Sequence, residues 1–103
     1  MADGFRAVHF VGVGGSGMSP LAEILLRQGV AVSGSDVKAS PVTAHLESLG
    51  LVFYQGHAPS HVGRVDAVVR SSAVRTSNAE VAEAERRGIP VLLRGQLRVC
   101  GRS

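Results

Sequence analysis

Four of the six residues from Gly12 to Gly17 are glycine, and they separate an apolar run from a segment with helical spacing. Glycine loses more conformational freedom on folding than any other residue, so such a cluster needs a structural reason. The apolar run, residues 7–13, predicts a strand buried on both faces, as in a parallel sheet. Apolar residues then recur at helical spacing from Met18, and Gly29 is placed to end that helix. The sequence therefore predicts a strand, a glycine-rich turn and a helix in succession.

This succession presents free backbone N–H groups and the positive end of a helix dipole to an anion. In the dinucleotide-binding pattern, Gly12 allows the tight turn and Gly17 permits close packing of the helix on the strand. Gly14 or Gly15 lets the backbone approach a phosphate. Asp36 ends the second predicted strand, where an acidic residue accepts hydrogen bonds from a ribose. Together they indicate a nucleotide with a diphosphate; the alternative is a turn without a ligand and a turn-forming aspartate.

The rest of the chain alternates predicted strands and helices. Ser40 is placed as an N-cap, and Gly50 is placed to end the helix that follows it. Ser77 and Glu80 have the spacing of a capping box, and Gly88 ends that third helix. The further strands are predicted at residues 30–36, 51–56, 65–73 and 89–94.

The alternation predicts an α/β fold: a Rossmann-like three-layer sandwich with a parallel sheet of roughly five strands. Helices are expected on both faces of this sheet. The last residues, 95–103, predict the beginning of a helix. Because the chain has 103 residues, we predict a single domain over residues 1–103.

Composition narrows the class of protein. An apolar fraction of 45% and a charged fraction of 18% are typical of a soluble globular domain, and no apolar run approaches the ~20 residues of a membrane span. The lone cysteine, Cys100, excludes an internal disulfide and predicts a reducing, cytoplasmic compartment. The net charge is +3, but the ten arginines are scattered and no aromatic residues alternate with them. We therefore predict no nucleic-acid partner and no membrane partner.

Polar residues at predicted strand ends are the remaining site candidates, because ligands of open α/β sheets bind at the carboxyl ends of the strands. Ser71 and Ser72 follow the fourth strand, and their hydroxyls could donate to phosphate or sugar oxygens or simply form a turn. His57 ends the third strand and could face the same crevice, whereas His9 and His45 lie inside a strand and a helix. The histidines lack metal-ligand spacing, so we predict no metal site, and no nucleophile–base pair indicates a catalytic residue.

Five segments together resemble the N-terminal domain of the Mur ligase family, over about residues 9–94. They read HFVGVGGSGMSPLAEILLRQG, VSGSD, GH, VVRSSAV and RRGIPVLLR. The form G-x-G-G-x-G-M-S followed by S-G-S-D is more specific than a general dinucleotide fingerprint. The double glycine at residues 14 and 15 favours the branch that adds L-alanine to UDP-N-acetylmuramic acid over the branch that recycles murein peptides. The resemblance implies a Rossmann-like domain that binds the UDP part of this substrate rather than NAD.

The resemblance also implies which residues bind the substrate. Asp36 would lie by the uridine ribose and His57 near the uracil. The residues that would hold the diphosphate are those of the loop: Gly14, Gly15, Ser16, Gly17 and Met18. The residues that would line the pocket beside the sugar and the diphosphate follow the fourth strand: Ser71, Ser72 and Ala73.

The sequence departs from the family pattern at three points. Arg70 stands where the family has an aliphatic residue and could be a strand-end residue or a phosphate clamp, and Gln96 stands where an acid is expected. The chain also has no G-x-x-x-x-G-K-[ST] phosphate loop. ATP and Mg²⁺ are implied for a parent ligase, in domains beyond this one, so the 103 residues alone are expected to bind without catalysing.

Two other functions are consistent with the same motifs. The chain could be a free-standing module that senses a UDP-sugar. It could also be an NAD-binding Rossmann domain, although such a domain usually has a second mononucleotide-binding half, for which 103 residues are few.

Overall fold

The computed structural model describes residues 5–96. Within them, the strands are β1 (Ala7–Val11), β2 (Ala31–Asp36), β3 (Val52–Gln55), β4 (Ala67–Arg70) and β5 (Val91–Leu93). The helices are α1 (Ser19–Arg27), α2 (Pro41–Ser48) and α3 (Ala79–Arg86), and short 3₁₀ turns span Pro59–His61 and Arg94–Gln96. All strand pairs are parallel, in the order β3-β2-β1-β4-β5. The predicted α/β fold with a five-stranded parallel sheet is therefore confirmed.

The strand order changes direction next to β1. From β1 the chain builds outward through β2 to β3, and then returns to add β4 and β5 on the other side. Val11, the last residue of β1, is in register with Ser35 of β2 and Arg70 of β4. The crevice outside the carboxyl ends of β1 and β4 is thus the switch point, where ligands of such sheets bind.

Two apolar cores lie on opposite faces of the sheet. Phe10 of β1, Leu25 of α1 and Leu46 of α2 belong to the core on one face. Val11 of β1 and Val81 of α3 belong to the core on the other. Neighbouring residues of β1 point to opposite faces because side chains alternate along a strand. Each large side chain buried in this way stabilises the fold by roughly 1.5–3 kcal/mol.

Local signals set the helix ends. The Ser40 hydroxyl accepts a hydrogen bond from the Thr43 N–H at 3.2 Å, and the Thr43 hydroxyl oxygen accepts one from the Ser40 N–H at 2.9 Å. This reciprocal capping box begins α2. Gly29 and Gly50 follow α1 and α2 with φ of 87° and 113°, a left-handed conformation that favours glycine. The predicted stops of these helices are confirmed.

The predicted capping box of α3 is wrong. Asn78, not Ser77, is the N-cap, and its side-chain oxygen accepts a hydrogen bond from the Glu80 N–H at 2.9 Å. The carboxylate of Glu80 does not return to the helix end because it is buried in the interior. The physical reason is that the carboxylate accepts hydrogen bonds from buried donors there, among them His9 and Ser35.

Several predicted boundaries shift. The sequence predicts a first strand that reaches residue 13, but the strand ends at Val11, because Gly12 has φ of 80° and turns the chain. The N–H groups of Gly12 and Val13 both donate to the Ser35 carbonyl, at 2.8 and 2.9 Å. The fourth strand is shorter than predicted, at Ala67–Arg70. Of the helix predicted at 95–103, residues up to Gln96 form the 3₁₀ turn, and residues 97–103 lie outside the described residues.

No helix within residues 5–96 combines the length and the apolar character needed to cross a membrane.

The close approach of Val13 to β2 predicts a sensitive glycine. A Cβ atom on Gly34 would lie 2.7 Å from the Val13 Cβ, so Gly34→Ala forces the loop or the strand to shift. We expect the free energy of unfolding in urea to fall by about 1–3 kcal/mol, as for other overpacked cores. Gly63→Ala is the matched control, because a Cβ there meets nothing within 4 Å, and its stability should be unchanged or slightly raised. Equal stabilities of the two variants would contradict the packing described here.

Candidate functional site

The glycine-rich loop leaves two backbone donors free at the start of α1. The Gly15 N–H donates to the Gly12 carbonyl, and the Met18 and Ser19 N–H groups donate to the Gly15 carbonyl, each at 3.0 Å. The N–H groups of Ser16 and Gly17 have no acceptor among residues 5–96, and both residues are exposed. Free amides at a helix N-terminus, together with the helix dipole, favour binding of an anion.

Asp36 lies against this loop. Its Oδ2 accepts a hydrogen bond from the Gly14 N–H at 2.8 Å, and its Oδ1 accepts one from the Val37 N–H at 2.7 Å. A Cβ on Gly14 would lie 2.7 Å from Asp36 Oδ2 and 3.3 Å from Thr43 Cγ2. The structure therefore brings Gly14 and Asp36 together, as the sequence predicted, but the missing side chain at residue 14 makes room for the carboxylate.

The other loop residues divide between the surface and the core. Met18 is 2% exposed, so its side chain anchors the loop in the core beneath α1. The expectation that Gly17 allows the helix to pack on the strand is wrong. A Cβ on Gly17 would lie 2.9 Å from the Arg94 Nε, because the Arg94 side chain occupies that space. Sequence reasoning did not include Arg94 in the site.

Across the switch point, the turn after β4 carries Ser71, Ser72 and Ala73. Ser71 is half-buried, and the other two are exposed. Arg70 Nη1 donates to the Val74 carbonyl at 3.0 Å and to the Ser71 carbonyl at 3.4 Å. The guanidinium thus braces its own turn, as a strand-end residue. A cavity of about 290 Å³ lies beside Ser71 and Ser72.

A buried carboxylate joins the elements around the site. Glu80 is fully buried, and its Oε1 accepts hydrogen bonds from His9 Nε2 at 2.7 Å and from the Ser35 hydroxyl at 2.5 Å. Its Oε2 accepts them from His61 Nδ1 at 2.7 Å and from the Ala58 N–H at 3.1 Å. One side chain of α3 is thereby bound to β1, to β2 and to the segment after β3.

These donors keep the carboxylate ionised. Burial acts to raise the pKa of Glu80, but the hydrogen bonds from His9, Ser35 and His61 outweigh it and lower the pKa to about 2. An ionised carboxylate only accepts hydrogen bonds, so His9 Nε2 and His61 Nδ1 each carry a hydrogen. Within residues 5–96, no group of histidine, cysteine or acidic side chains is arranged to hold a metal ion.

His57 is attached to this network rather than to Asp36. Its Nδ1 lies 3.0 Å from the Ser35 hydroxyl and 3.6 Å from Glu80 Oε2. The Ser35 hydroxyl already donates to Glu80, so His57 Nδ1 is the donor in the other bond. Because successive side chains of β2 alternate, Ser35 and His57 lie on the α3 face and Asp36 lies on the α2 face. The structure therefore places His57 and Asp36 at one end of the sheet but on opposite faces.

Sequence reasoning missed Glu80, His61 and Ser35. One signal was available: a histidine inside an apolar strand, His9, requires a hydrogen-bonding partner once it is buried. The identity of that partner had no local signature, because Glu80 lies 71 positions further along the chain.

Comparisons with known proteins agree with the motif resemblance. Residues 7–98 match the model of the Mur ligase family, catalytic domain. The UDP-N-acetylmuramate–L-alanine ligase of Syntrophus aciditrophicus is 53% identical over 92 residues, which cover 89% of this chain and 19% of that protein. The enzyme of the same name from an Anaeromyxobacter species is 57% identical over 90 residues, which cover 87% of this chain and 20% of that protein.

Solved structures agree with the fold as well. The UDP-N-acetylmuramate-alanine ligase MurC of Thermotoga maritima superimposes with a TM-score of 0.82 at 33% identity, covering 87% of this chain and 21% of that one. A murein peptide ligase of Psychrobacter arcticus gives a TM-score of 0.77 at 25% identity, covering 84% of this chain and 18% of that one. The chain thus spans about a fifth of the length of the relatives it matches.

The buried network predicts a specific response to acid. The Glu80 carboxyl has an ordinary pKa of 4.5 and a folded pKa of about 2, so its ionised form stabilises the folded state above pH 4.5. This stabilisation, about 3 kcal/mol, is lost as the pH falls from about 4.5 towards 2. Other carboxyls with lowered pKa values, such as Glu23 and Asp66, contribute their own acid dependence. The difference between wild type and Glu80→Gln isolates the contribution of Glu80.

Urea unfolding of the wild type and Glu80→Gln between pH 7 and pH 2.5 measures the contribution of Glu80 to stability. We expect Glu80→Gln to lower the free energy of unfolding by about 3 kcal/mol at pH 7, because the amide NH₂ faces buried donors. The difference in free energy of unfolding between the wild type and Glu80→Gln should close in acid. Glu85→Gln, on the exposed side of α3, is the matched control and should change stability by less than about 0.5 kcal/mol. A gap between wild type and Glu80→Gln that stayed constant with pH would contradict an ionised Glu80.

Proposed function

The chain belongs to the Mur ligase family, and we propose that it binds the UDP part of UDP-N-acetylmuramic acid. In this proposal it is the substrate-binding domain of a ligase that adds L-alanine to that substrate in peptidoglycan synthesis. The observation that carries the proposal is the pair of exposed, unpaired amides of Ser16 and Gly17, at the switch point and at the start of α1. Amide donors and a helix N-terminus stabilise the negative charge of a diphosphate.

The other loop residues have supporting roles in this proposal. The exposed, side-chain-free backbone at Gly15 lets the diphosphate approach, and Gly14 makes room for the Asp36 carboxylate. Met18 anchors the loop from the core. Asp36 accepts one hydrogen bond on each of its oxygens, and the lone pairs that remain can accept from ribose hydroxyls.

Residues outside the loop complete the proposed site. Ser71 and Ser72, which line the cavity of about 290 Å³, and the exposed Ala73 are proposed to lie beside the sugar and the diphosphate, on a turn braced by Arg70. His57 lies near the uracil, with its ring held by Ser35 on one side.

Ligation itself needs more than this chain. Formation of an amide bond between the substrate carboxyl and L-alanine requires activation of that carboxyl, and the sequence has no phosphate loop for ATP. ATP and Mg²⁺ are therefore proposed to act in other domains of a parent ligase, which are then partners of this one. Because the substrate is an intracellular nucleotide sugar, the proposal agrees with the cytoplasmic location that the lone Cys100 predicts.

A titration followed by two-dimensional NMR of backbone amides tests the proposal. We expect UDP-N-acetylmuramic acid and UDP to shift the amides of Ser16 and Gly17, which bind the diphosphate. The amide of Asp36 should shift as well, because its carboxylate accepts from the ribose. NAD should shift none of them. A response to NAD alone would assign a dinucleotide-binding function, and silence with every ligand would contradict nucleotide binding by this chain.

A pair of loop variants tests which atoms bind. Gly15→Val places a branched side chain where the phosphate approaches and should abolish binding of UDP. Its Cβ would lie 3.3 Å from the Gly12 carbonyl oxygen, so the amide spectrum should change within the loop and be preserved in the sheet. Ser16→Ala removes only a hydroxyl and should leave the affinity within about twofold, because the backbone amide is the donor. Unchanged affinity in Gly15→Val would contradict the phosphate-binding loop.

A further inference from the structure

We infer that Arg94 is the cation that holds the diphosphate on the glycine-rich loop, an inference that rests on the proposed function. Arg94 directly follows β5, at the carboxyl edge of the sheet, and begins the 3₁₀ turn Arg94–Gln96. It would bind the phosphate over Gly17 through its guanidinium, while the amides of Ser16 and Gly17 bind through their N–H groups. Arginine suits this role because its planar group donates several hydrogen bonds in a fixed geometry to phosphate oxygens.

The position of the side chain is the first support. A Cβ on Gly17 would lie 2.9, 3.1 and 3.3 Å from Nε, Cδ and Cζ of Arg94. The φ of Gly17 is not in the left-handed region, so its backbone conformation does not require glycine. What the missing side chain provides is space for the guanidinium beside the free amides.

The lack of a competing partner is the second support. Arg27 is paired with Glu23 at 2.9 Å, and Arg86 with Glu83 at 2.7 Å. Arg94, by contrast, makes no hydrogen bond or ion pair in the part of the chain from residue 5 to 96, and it is exposed. Within residues 5–96, no protein acceptor therefore competes with a ligand for its donors.

Electrostatics at the loop is the third support. The Asp36 carboxylate is bonded to Gly14, so a negative charge already lies against the loop. A diphosphate brings further negative charge to the same place, and two amides alone oppose that repulsion only in part. A guanidinium beside Gly17 supplies the opposite charge.

Arg94 also lies between the two halves of the crevice. It lines a cavity of about 440 Å³ together with Gly17, and the cavity of about 290 Å³ together with Ser71 and Ser72. A phosphate bound by Arg94 is therefore within the space shared by the loop after β1 and the turn after β4.

Affinity measurements on the full 103-residue chain with UDP and with uridine test the inference. We expect Arg94→Ala to weaken UDP binding about tenfold or more, as for loss of a charge-assisted hydrogen bond, and to leave uridine binding unchanged. Arg64→Ala is the matched control: it removes the same charge from an exposed residue near Ala7 and Ala31, at the amino ends of the strands. This control should bind UDP like the wild type.

A double-mutant cycle tests the contact with Gly17. Gly17→Ala should displace the guanidinium and weaken UDP binding in the wild-type background, but should have little further effect when Arg94 is already alanine. Equal effects of Gly17→Ala in both backgrounds would mean that the methyl group acts on the ligand directly, and would contradict the assigned contact.

The outcomes separate this inference from the proposed function. Wild-type affinity for UDP in Arg94→Ala, with the amide spectrum preserved, would overturn the role of Arg94 and leave the proposed function standing. A wild-type chain that binds neither UDP nor UDP-N-acetylmuramic acid would contradict the proposed function and remove this inference with it.

Discussion

The hydrogen bonds that the buried Glu80 carboxylate accepts hold together the elements that carry the candidate site. A charge buried without partners would cost several kcal/mol or more, so the sequence must supply donors on every side. His9 supplies one from β1, Ser35 one from β2, and Ala58 and His61 two from the segment after β3. These bonds fix α3 against the strands on one side of the switch point and determine how their carboxyl ends are arranged.

The end of β2 connects the Glu80 network to the glycine-rich loop through hydrogen bonds. Ser35 donates its hydroxyl to Glu80 on one face, and its carbonyl accepts the N–H groups of Gly12 and Val13. The next residue, Asp36, accepts the Gly14 N–H on the other face. The first part of the loop is thus fully bonded to β2, and the amides that remain free are those at the start of α1. The end of β2 therefore contacts both the buried, hydrogen-bonded Glu80 carboxylate and the loop whose exposed amides are proposed to bind an anion.

The parts that the sequence predicted well are those with local signatures. Gly29 and Gly50 adopt positive φ after their helices, and Ser40 caps α2, because each signal acts within a few residues. Local spacing predicts Glu80 as part of a capping box, because it carries no information about a partner 71 positions away. The prediction for Gly17 fails for the same reason, since the side chain that a Cβ there would meet comes from the distant Arg94. At Glu80 and Gly17, long-range side-chain contacts therefore decided the outcome, whereas the early end of β1 has a local cause in the positive φ of Gly12.

The proposed function requires that the strand ends around Glu80 position a loop whose free amides bind a diphosphate. A crystal structure of the chain with UDP-N-acetylmuramic acid tests this requirement. We expect phosphate oxygens at hydrogen-bonding distance, about 3 Å, from the amide nitrogens of both Ser16 and Gly17, with Asp36 still bonded to Gly14. A diphosphate bound away from this loop, or one that displaces Asp36 from Gly14, would contradict it.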